Sequence, residues 1–216
     1  MHALRIVMDT DWRELLCGVI FQTLKDARHV PIYKLHRAKN KTIMSQEPKV
    51  IISAILTRRK NDAIEVFLQT RWKPTVSPMY SGMLEIPAGG VDAYENVYDA
   101  LRREVKEECG LEIVKIIDDY QGPVVESRPH DKSFVFKPFI CQEVLETNDG
   151  LPWIGFVFLC EARGEAVIDS TEAKDPVWVS ISELKNLLQS SPERFFPLQL
   201  PVLQRFINYT EKNSLG

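Results

Sequence analysis

Three glutamates, Glu104, Glu107 and Glu108, have the side-chain type and spacing that binding of a divalent cation requires. On a helix that advances about 100° per residue, Glu104 and Glu108 share one meridian, whereas Glu107 lies on the other flank of the same apolar stripe. Carboxylates that border a buried face repel one another and lose hydration, so this arrangement is costly unless cations neutralise it. Mg²⁺ and Mn²⁺ accept such oxygens and also bind phosphate oxygens of a substrate. The spacing therefore indicates a metal site that can also bind phosphate oxygens of a substrate.

The elements around these glutamates are predicted to place them at the edge of a core. Residues 87–90 form a Pro- and Gly-rich turn after an apolar strand, and a helix is predicted from about Ala93 to Cys109. Asp92 is the predicted N-cap of this helix, Glu95 completes a capping box, and Gly110 is the predicted stop. The buried stripe of the helix is predicted at every fourth residue, at Val97, Leu101 and Val105.

A solvated, Glu-rich helix face is the common alternative for three neighbouring glutamates. The fixed offsets from the glycine turn, through Glu95 and Arg103, to the three acids and Gly110 favour the metal site instead. The whole run from Gly89 to Leu111, GGVDAYENVYDALRREVKEECGL, resembles the signature box of the Nudix hydrolase superfamily, with every fixed position filled. The resemblance implies an α/β fold, the Nudix α/β/α sandwich with a mixed sheet. It also implies hydrolysis of a diphosphate bond by water that Mg²⁺ or Mn²⁺ activates.

The resemblance further implies roles for residues of the box. Glu104 and Glu108 are the expected metal ligands, and Glu107 is expected to act as a ligand or as a catalytic base. The carbonyl oxygen of Ala88, beside the turn, is expected to bind the same metal. Arg103 is expected to orient the acidic cluster together with the glutamate eight residues before it. An exposed ion pair is the alternative role for those two side chains.

The catalytic base of this superfamily often comes from a loop outside the box. Glu172 is the predicted base, because it lies in the acidic segment STEAKDP just before a predicted strand. This location is similar to that of the acidic loop residue of ADP-ribose pyrophosphatases. Any single loop acid is more often only solvated, and three other acids stay as alternatives, namely Asp169, Asp175 and Glu126.

The segment LEIPAGGVDAYE, residues 84–95, resembles the corresponding segment of ADP-ribose and nucleotide-sugar pyrophosphatases. The implied substrate is a nucleoside diphosphate linked to another moiety. Arg71 and Trp72, at the end of a predicted strand, are candidates to bind phosphate and to stack on a base. A surface arginine and a core tryptophan are the commoner roles for these two residue types. Arg128, close to His130 in a loop, is a further candidate for substrate binding.

Other functions are compatible with a box of this kind. A housecleaning hydrolase of oxidised or non-standard nucleoside triphosphates would use the same chemistry and differ only in its substrates. Some Nudix-fold domains are non-enzymatic nucleotide sensors, but these commonly lose metal glutamates, whereas Glu104, Glu107 and Glu108 are all present here. The segment before the box matches the Thr-x-Arg of coenzyme A pyrophosphatases but lacks their second arginine.

The chain is predicted to divide into an N-terminal extension, residues 1–47, and a Nudix domain with C-terminal helices, residues 48–216. A helix predicted at about residues 11–25 carries apolar residues at helical spacing, and an apolar helix needs a partner. We expect this helix to pack either on its own catalytic domain or against a second copy in a homodimer. Some Nudix pyrophosphatases use an N-terminal extension to dimerise. Strands of the Nudix domain are predicted over residues 49–57, 63–70, 133–144, 153–162 and 177–179. Helices are predicted over residues 180–188 and 201–209.

The composition limits the classes of function. The 216 residues are 44% hydrophobic and 26% charged, as is typical of a globular protein with one core. A net charge of −3 without a block of Lys or Arg argues against nucleic-acid binding, so an anionic substrate must be held by metal and a few basic side chains. The four cysteines are widely spaced, as expected for reduced thiols. The longest apolar run, residues 153–160, is too short to span a bilayer, no signal peptide is recognised, and the expected location is the cytoplasm.

Overall fold

The computed structural model describes residues 48–148, 150, 152–168 and 171–213, which form a mixed sheet with helices on both faces. Its helices are α1 (Val97–Cys109), α2 (Ile181–Ser190) and α3 (Leu200–Lys212). Its strands are β1 (Lys49–Lys60), β2 (Ala63–Arg71), β3 (Leu84–Glu85), β4 (Ala88–Gly90), β5 (Glu112–Ile117), β6 (Tyr120–Gln121), β7 (Val125–Arg128), β8 (Asp131–Ser133), β9 (Phe136–Lys137), β10 (Ile140–Val144), β11 (Trp153–Arg163) and β12 (Ala173–Ser180).

The central path of the sheet runs in the order β10, β11, β1, β2, β12, with β1 and β11 parallel and the other neighbours antiparallel. Helix α1 covers one face over a core that includes Leu56, Leu101 and Phe158. Helices α2 and α3 cover the other face over a second core that includes Ile55 and Leu203. The three layers bury apolar side chains from both faces of the sheet, so the predicted α/β/α sandwich is confirmed.

Strands β1 and β2 form a hairpin that separates before the strands end. Asn61 and Asp62 form its two-residue turn with φ of 49° and 65°, a left-handed conformation that Asn and Asp tolerate better than most residues. Near the turn β1 pairs with β2, but residues 51–53 of β1 pair with β4 instead. The far end of β2 pairs with β3 and β12. A cleft lies where the two strands diverge.

Helix α1 begins at Val97, four residues later than the sequence pattern indicates. Tyr94 has φ of 65°, and this left-handed residue prevents an earlier start. Asn96 caps the helix, because its side-chain oxygen accepts a hydrogen bond from the backbone N–H two residues later. The predicted capping-box contact does form, from the N–H of Asp92 to Glu95 at 3.0 Å, but it closes a turn ahead of the helix.

The other predicted helix boundaries are close to those observed. Gly110 ends α1 in the left-handed conformation, with φ of 69°. Ser180 caps α2 and accepts a hydrogen bond from the N–H of Glu183 at 3.1 Å. Pro201 lies in the first turn of α3, where its missing N–H costs no helical hydrogen bond.

The prediction of a single strand over residues 133–144 was wrong, because this segment contributes to three separate strands. The strands β8, β9 and β10 pair with β7, β6 and β11, respectively. Pro138, between β9 and β10, has no N–H with which to continue a ladder. Each piece has a different partner, and local periodicity does not encode that choice.

The predicted N-terminal extension, with its helix at about residues 11–25, lies outside the described residues. The homodimer interface predicted within that extension lies outside them as well. Among the helices that the structure describes, none combines the length and the apolar character needed to cross a membrane.

Candidate active site

A cleft of about 760 Å³ opens where β1 and β2 diverge. Its acidic lining comes from β3 and α1, and its basic lining comes from the start of β1, the end of β2 and the loop after β2. Opposite charges in one cleft suit a metal-bridged anion. The acidic lining consists of Glu85, Glu104, Glu107 and Glu108, the basic side chains are Lys49, Arg71 and Lys73, and a further acid of the cleft, Glu172, pairs with Lys73.

Glu104 lies directly against the glycine turn. A Cβ atom on Gly89 would lie 1.9 Å from Cδ of Glu104, so residue 89 must be glycine for this carboxylate to occupy its position. Arg103 binds the same carboxylate through Nη1 at 2.7 Å. The Glu104 side chain is only 14% exposed, so its charge lies at the rim of the core.

Glu108 is the most buried of the three box glutamates, with 7% of its surface exposed. Its Oε2 accepts hydrogen bonds from Nε2 of Gln69 at 2.9 Å and from the N–H of Ala88 at 3.1 Å. Burial, and then the charge of Glu85, raise the pKa of Glu108 to about 8, and burial also raises the pKa of Glu85. A bound cation would favour the charged form of both carboxylates, so this part of the cleft has the electrostatics of a cation site.

Arg103 joins the acidic side chains to the backbone of β4 in one network. Its Nε and Nη2 each bind Glu95 at 2.8 Å, and its Nη1 binds Glu104 at 2.7 Å and Glu107 at 3.3 Å. Nη2 also donates to the carbonyl of Gly90 at 3.0 Å. The hydrogen bonds from Arg103 lower the pKa of Glu95 to about 2. The guanidinium fork therefore holds the acidic side chains in fixed positions against β4.

The basic side chains at the end of β2 are held by acids from neighbouring segments. Nη1 of Arg71 binds Oε2 of Glu85 at 3.1 Å, whereas its buried Nε has no hydrogen-bond partner within the described part of the chain. Lys73 forms an ion pair with Glu172. The carbonyl of Glu172 also accepts a hydrogen bond from the N–H of Trp72 at 2.6 Å. These contacts fix Glu172 in the lining of the cleft.

Most of the site residues predicted from the sequence come together at this cleft. Ala88, Arg71 and Glu172 line it with the three box glutamates. Arg103 contacts two of those glutamates directly. The residues are contributed by β2, β4, α1 and the segment just before β12, which are far apart in the chain. Their catalytic and binding roles stay predictions.

Trp72 and Arg128 lie outside the lining of the cleft. The ammonium of Lys174 lies 3.2 Å from the ring centroid of Trp72. Arg128 is exposed at the end of β7, in the hairpin that β7 forms with β8. The structure thus does not bring these two side chains to the acidic lining, and their contacts with substrate stay predictions.

The acids that were alternatives to Glu172 are placed differently. Asp175 lies at a bulge of β12 with φ of 49°, and Glu126 binds Lys132 at 3.3 Å in the β7–β8 hairpin. Neither of these two acids lines the cleft. Asp169 lies outside the described residues. Of the three acids that the structure describes, Glu172 is therefore the one in the cleft.

Several residues in or next to the cleft were not predicted from the sequence. Glu85 belongs to the acidic lining, Gln69 is buried behind it against Glu108, and Gln199 binds both backbone groups of Ile86 at 2.8 and 3.1 Å. Trp153, at the start of β11, also lines the cleft. A polar residue inside an apolar strand is the available signal for Gln69 and Glu85, because such a group is buried only with a partner. No local signal identifies Gln199 or Trp153.

The donor atoms of the acidic lining suit a hard divalent cation. They are the carboxylate oxygens of Glu104, Glu107 and Glu108, with the backbone of Ala88 beside them. Within the described ranges, no three His, Cys, Asp or Glu side chains converge closely enough to hold a metal ion by themselves. Mg²⁺ is usually bound by one or two carboxylates and completes its octahedron with water and substrate phosphate. An open acidic lining therefore fits a magnesium site that a substrate completes.

Comparisons with known proteins agree with this geometry. The family model described as NUDIX domain matches residues 47–199. A search of curated proteins found no match.

Solved structures share the fold at low sequence identity. The MutT protein from Methanosarcina mazei Go1 is 19% identical, with a TM-score of 0.52, and the match covers 76% of this chain and 97% of that one. The NUDIX domain of Shewanella oneidensis NrtR complexed with ADP ribose is 13% identical, with a TM-score of 0.52 and coverage of 79% and 94%. A possible asymmetric diadenosine tetraphosphate hydrolase from Jonesia denitrificans DSM 20603 is 18% identical, with a TM-score of 0.54 and coverage of 79% and 98%.

The family match covers well over half of the chain and includes the complete glutamate set of the box. In the structure, these glutamates and the basic side chains line a single cleft. The chain therefore belongs to the Nudix family and is a Nudix pyrophosphohydrolase.

Proposed function

We propose that this enzyme hydrolyses the diphosphate bond of a nucleoside diphosphate linked to another moiety, of the ADP-ribose or nucleotide-sugar type. The observation that carries the proposal is the presence of the acidic lining and of two cations, Arg71 and Lys73, in one cleft of about 760 Å³. A cleft of this size accommodates a nucleotide derivative. Residues 84–95 resemble the corresponding segment of ADP-ribose and nucleotide-sugar pyrophosphatases. ADP ribose is also the ligand of the NrtR domain that shares the fold.

Arg71 binds a phosphate of the substrate in this proposal. Its Nη1 is held by Glu85, while its buried Nε–H has no acceptor among the described residues. The guanidinium lines the cleft with 17% of the side chain exposed, and a phosphate oxygen there would accept a charge-assisted hydrogen bond from it. Lys73 adds a second positive charge to the same part of the cleft. Local attraction of this kind is needed because the net charge of the chain is −3.

Glu104, Glu108 and the carbonyl of Ala88 would hold Mg²⁺ or Mn²⁺ at the acidic lining. When bound, the cation would withdraw charge from the phosphoryl oxygens and lower the pKa of the attacking water. Arg103 keeps the Glu104 carboxylate in place, and Gln69 together with the N–H of Ala88 keeps Glu108 in place. These contacts orient the ligand oxygens before the substrate binds, which is the usual task of residues behind a metal site.

Glu172 accepts the proton of the attacking water. Its carboxylate lines the cleft and pairs with Lys73, and its backbone carbonyl is bound by the N–H of Trp72. A general base must stay within hydrogen-bond reach of the water, and these contacts restrict both the side chain and the backbone of Glu172. Glu107, with 61% of its side chain exposed on the acidic lining, is the alternative base.

Two other functions remain as competing candidates. Hydrolysis of oxidised or non-standard nucleoside triphosphates is favoured by the shared fold of the MutT protein from M. mazei. Binding of a nucleotide without catalysis is favoured by the NrtR domain, which was solved with ADP ribose. The complete set of Glu104, Glu107 and Glu108 supports catalysis over sensing.

A substrate panel tests the proposed function. The protein is incubated with ADP-ribose, nucleotide sugars, dinucleoside polyphosphates, coenzyme A and oxidised dNTPs, with Mg²⁺ or Mn²⁺, and the products are identified by mass. Cleavage between the two phosphates of ADP-ribose or of a nucleotide sugar is the expected result. Cleavage of triphosphates alone would replace the proposal with the housecleaning function. Binding without metal-dependent cleavage of any compound would contradict catalysis.

We also propose that residues 1–47 support a homodimer, because the sequence pattern at about residues 11–25 predicts an apolar helix that needs a partner. Light scattering of the full chain at assay concentration measures its mass directly. The expected mass is that of two chains, and a monomeric mass would remove the proposal.

A further inference from the structure

One end of the cleft is lined by an aromatic side chain that the proposed chemistry does not use. Trp153 begins β11, and its indole is half-buried in the cleft lining. In the parallel pairing of β1 and β11, Trp153 lies opposite Lys49 and Gly155 lies opposite Ile51. Side chains two residues apart on a strand point to the same face, so Trp153 and Gly155 belong to the same face of the sheet.

The indole packs directly on the backbone of Gly155. A Cβ atom on that glycine would lie 2.7 Å from Cζ3 and 3.2 Å from Cε3 of Trp153. The φ of Gly155 does not lie in the left-handed region, so the chain conformation does not require glycine there. The close approach of the ring is therefore the feature that requires glycine at residue 155.

A neighbouring loop is tied to the same part of the sheet. Gln142 of β10 pairs with Gly155 in register, and its side-chain amide donates to the carbonyl of Leu198. Leu198 itself lines the cleft. An aromatic ring with apolar neighbours, open to a cleft, is the surface on which planar ligand groups stack.

The distance between this ring and the acidic lining suits a nucleotide. Ser53 of β1 pairs with Ala88, and Lys49, opposite Trp153, lies four residues earlier on the same strand. Four strand residues span about 13 Å, at roughly 3.3 Å per residue. A nucleoside whose diphosphate lies beside Ala88 can place its base at the far end of such a span, with the ribose in between.

We propose that Trp153, seated on Gly155, stacks on the nucleobase of the substrate and so makes the enzyme selective for nucleotide-linked diphosphates. The proposal rests on the proposed function, because it assumes that the diphosphate lies at the acidic lining. The rings of the other two tryptophans among the described residues contact other side chains. Lys174 covers the ring of Trp72, and Trp178 packs edge-on against a core phenylalanine with ring centroids 5.3 Å apart.

Two ligands that differ by the nucleoside test this proposal. The affinities of ADP and of inorganic pyrophosphate for the full chain are measured by calorimetry with Mg²⁺. Trp153→Ala is expected to raise the Kd of ADP on the order of tenfold, as is usual when a stacking aromatic is truncated, and to change the Kd of pyrophosphate less than about twofold. Trp153→Phe keeps a smaller stacking surface and is expected to restore most of the affinity for ADP.

Gly155→Ala tests the packing of the ring on the strand backbone without removing the indole. Its Cβ is expected to displace the ring and to weaken ADP binding in the same direction as Trp153→Ala. Ile154→Ala is the matched control, because Ile154 lies between these two residues on the opposite face of β11 and is partly exposed. It is expected to leave both affinities unchanged. Thermal melting of each variant confirms that the fold is retained. If Trp153→Ala does not fold, the ADP affinities of Trp153→Phe and Gly155→Ala test the base site instead.

The outcomes separate this proposal from the proposed function. If the enzyme cleaves diphosphate-linked nucleotides but Trp153→Ala binds ADP as tightly as the wild type, the base site is refuted and the proposed function stands. Equal losses for ADP and pyrophosphate would show that Trp153 supports the acidic lining and would also refute the base site. If the wild-type enzyme cleaves no diphosphate compound and binds neither ligand, both proposals fail.

Discussion

The two ends of the cleft are built by different physical means. At the acidic end, defined by Glu104, Glu108 and Gly89, every carboxylate is held by directional hydrogen bonds from Arg103, Gln69 or the backbone. At the indole end, defined by Trp153 and Gly155, the described contacts are van der Waals contacts between a ring and a strand. Charge-assisted hydrogen bonds fix position within tenths of an ångström, whereas ring packing tolerates small shifts. This difference suits chemistry at one end and recognition at the other.

Both ends nevertheless depend on a glycine that lies under a functional side chain. A Cβ atom would lie 1.9 Å from the Glu104 carboxylate at residue 89 and 2.7 Å from the Trp153 ring at residue 155. The same backbone device therefore supports a charged group and an apolar one. The expected cost of disturbing it is larger at the acidic end, because catalysis is more sensitive to position than stacking is.

The largest effect is expected from Glu108→Gln. Loss of a charged metal ligand removes several kcal/mol of transition-state stabilisation, which corresponds to a fall in kcat of about 10³-fold or more. Folding is expected to persist, since the neutral amide suits a site where burial raises the pKa of the native carboxyl. Turnover of the best substrate, Mn²⁺ affinity and melting temperature are the measurements. Glu112→Gln is the control, because Glu112 is exposed just beyond α1 and pairs with Arg163 at 2.9 Å. Near-normal turnover of Glu108→Gln would contradict a ligand role.

Glu172→Gln is expected to lower kcat by at least about 100-fold, because a general base contributes 10²- to 10⁴-fold. Asp175→Asn is the matched control three residues along the same segment, outside the cleft lining. A kcat close to that of the wild type would transfer the role of base to Glu107.

Gly89→Ala is expected to lower kcat by about 100-fold, since a displacement of 1 Å at a catalytic group has an effect of this size. Gly90→Ala provides a matched control, because a Cβ atom on Gly90 would meet no atom within 4 Å. Neither glycine has a left-handed φ, so backbone strain does not distinguish the two variants. Kinetics and Mn²⁺ titration measure the effect, and equal activity of the two variants would break the proposed link between Gly89 and Glu104.

Arg103→Lys is expected to lower metal affinity or activity by about 10- to 100-fold, as is typical of residues that orient metal ligands. Lysine keeps the positive charge but cannot reproduce the fork that binds Glu95, Glu104 and the carbonyl of Gly90 together. Arg102→Lys is the control on the solvent side of the same helix. Equal Mn²⁺ affinities in the two variants would assign Arg103 an ordinary surface role.

The smallest effect in this series belongs to the indole end, where Trp153→Ala is expected to weaken ADP binding by about tenfold. If this loss equals that of Glu108→Gln, or if it appears in kcat instead of in nucleotide affinity, the division between a chemical end and a recognition end is wrong. Parallel measurement of kcat and KM for both variants makes that comparison.

The local sequence was sufficient to predict features that depend on the residues of a single element. The helix stop at Gly110 and the cap at Ser180 follow from residue types at neighbouring positions. Prediction failed where a distant pairing partner, or a residue with an unusual backbone conformation, determines the bounds of an element. Tyr94 delays the start of α1, and the segment of residues 133–144 divides among three pairing partners. Pairing partners lie far apart in the chain, so short-range patterns do not encode them.

The sequence by itself determined the family and the class of reaction, because the glycine turn and the box glutamates lie within one short segment whose spacing is fixed by a single helix. Only the tertiary structure decided which other side chains share the cleft. Arg71 comes from β2, Trp153 from β11 and Glu172 from the segment before β12, and they share the cleft because β1 leaves β2 to pair with β4 while it pairs with β11 on its other edge. Long-range strand pairing is set by packing of the whole core, and that is why the sequence could name Arg71 and Glu172 only as candidates and did not identify Trp153.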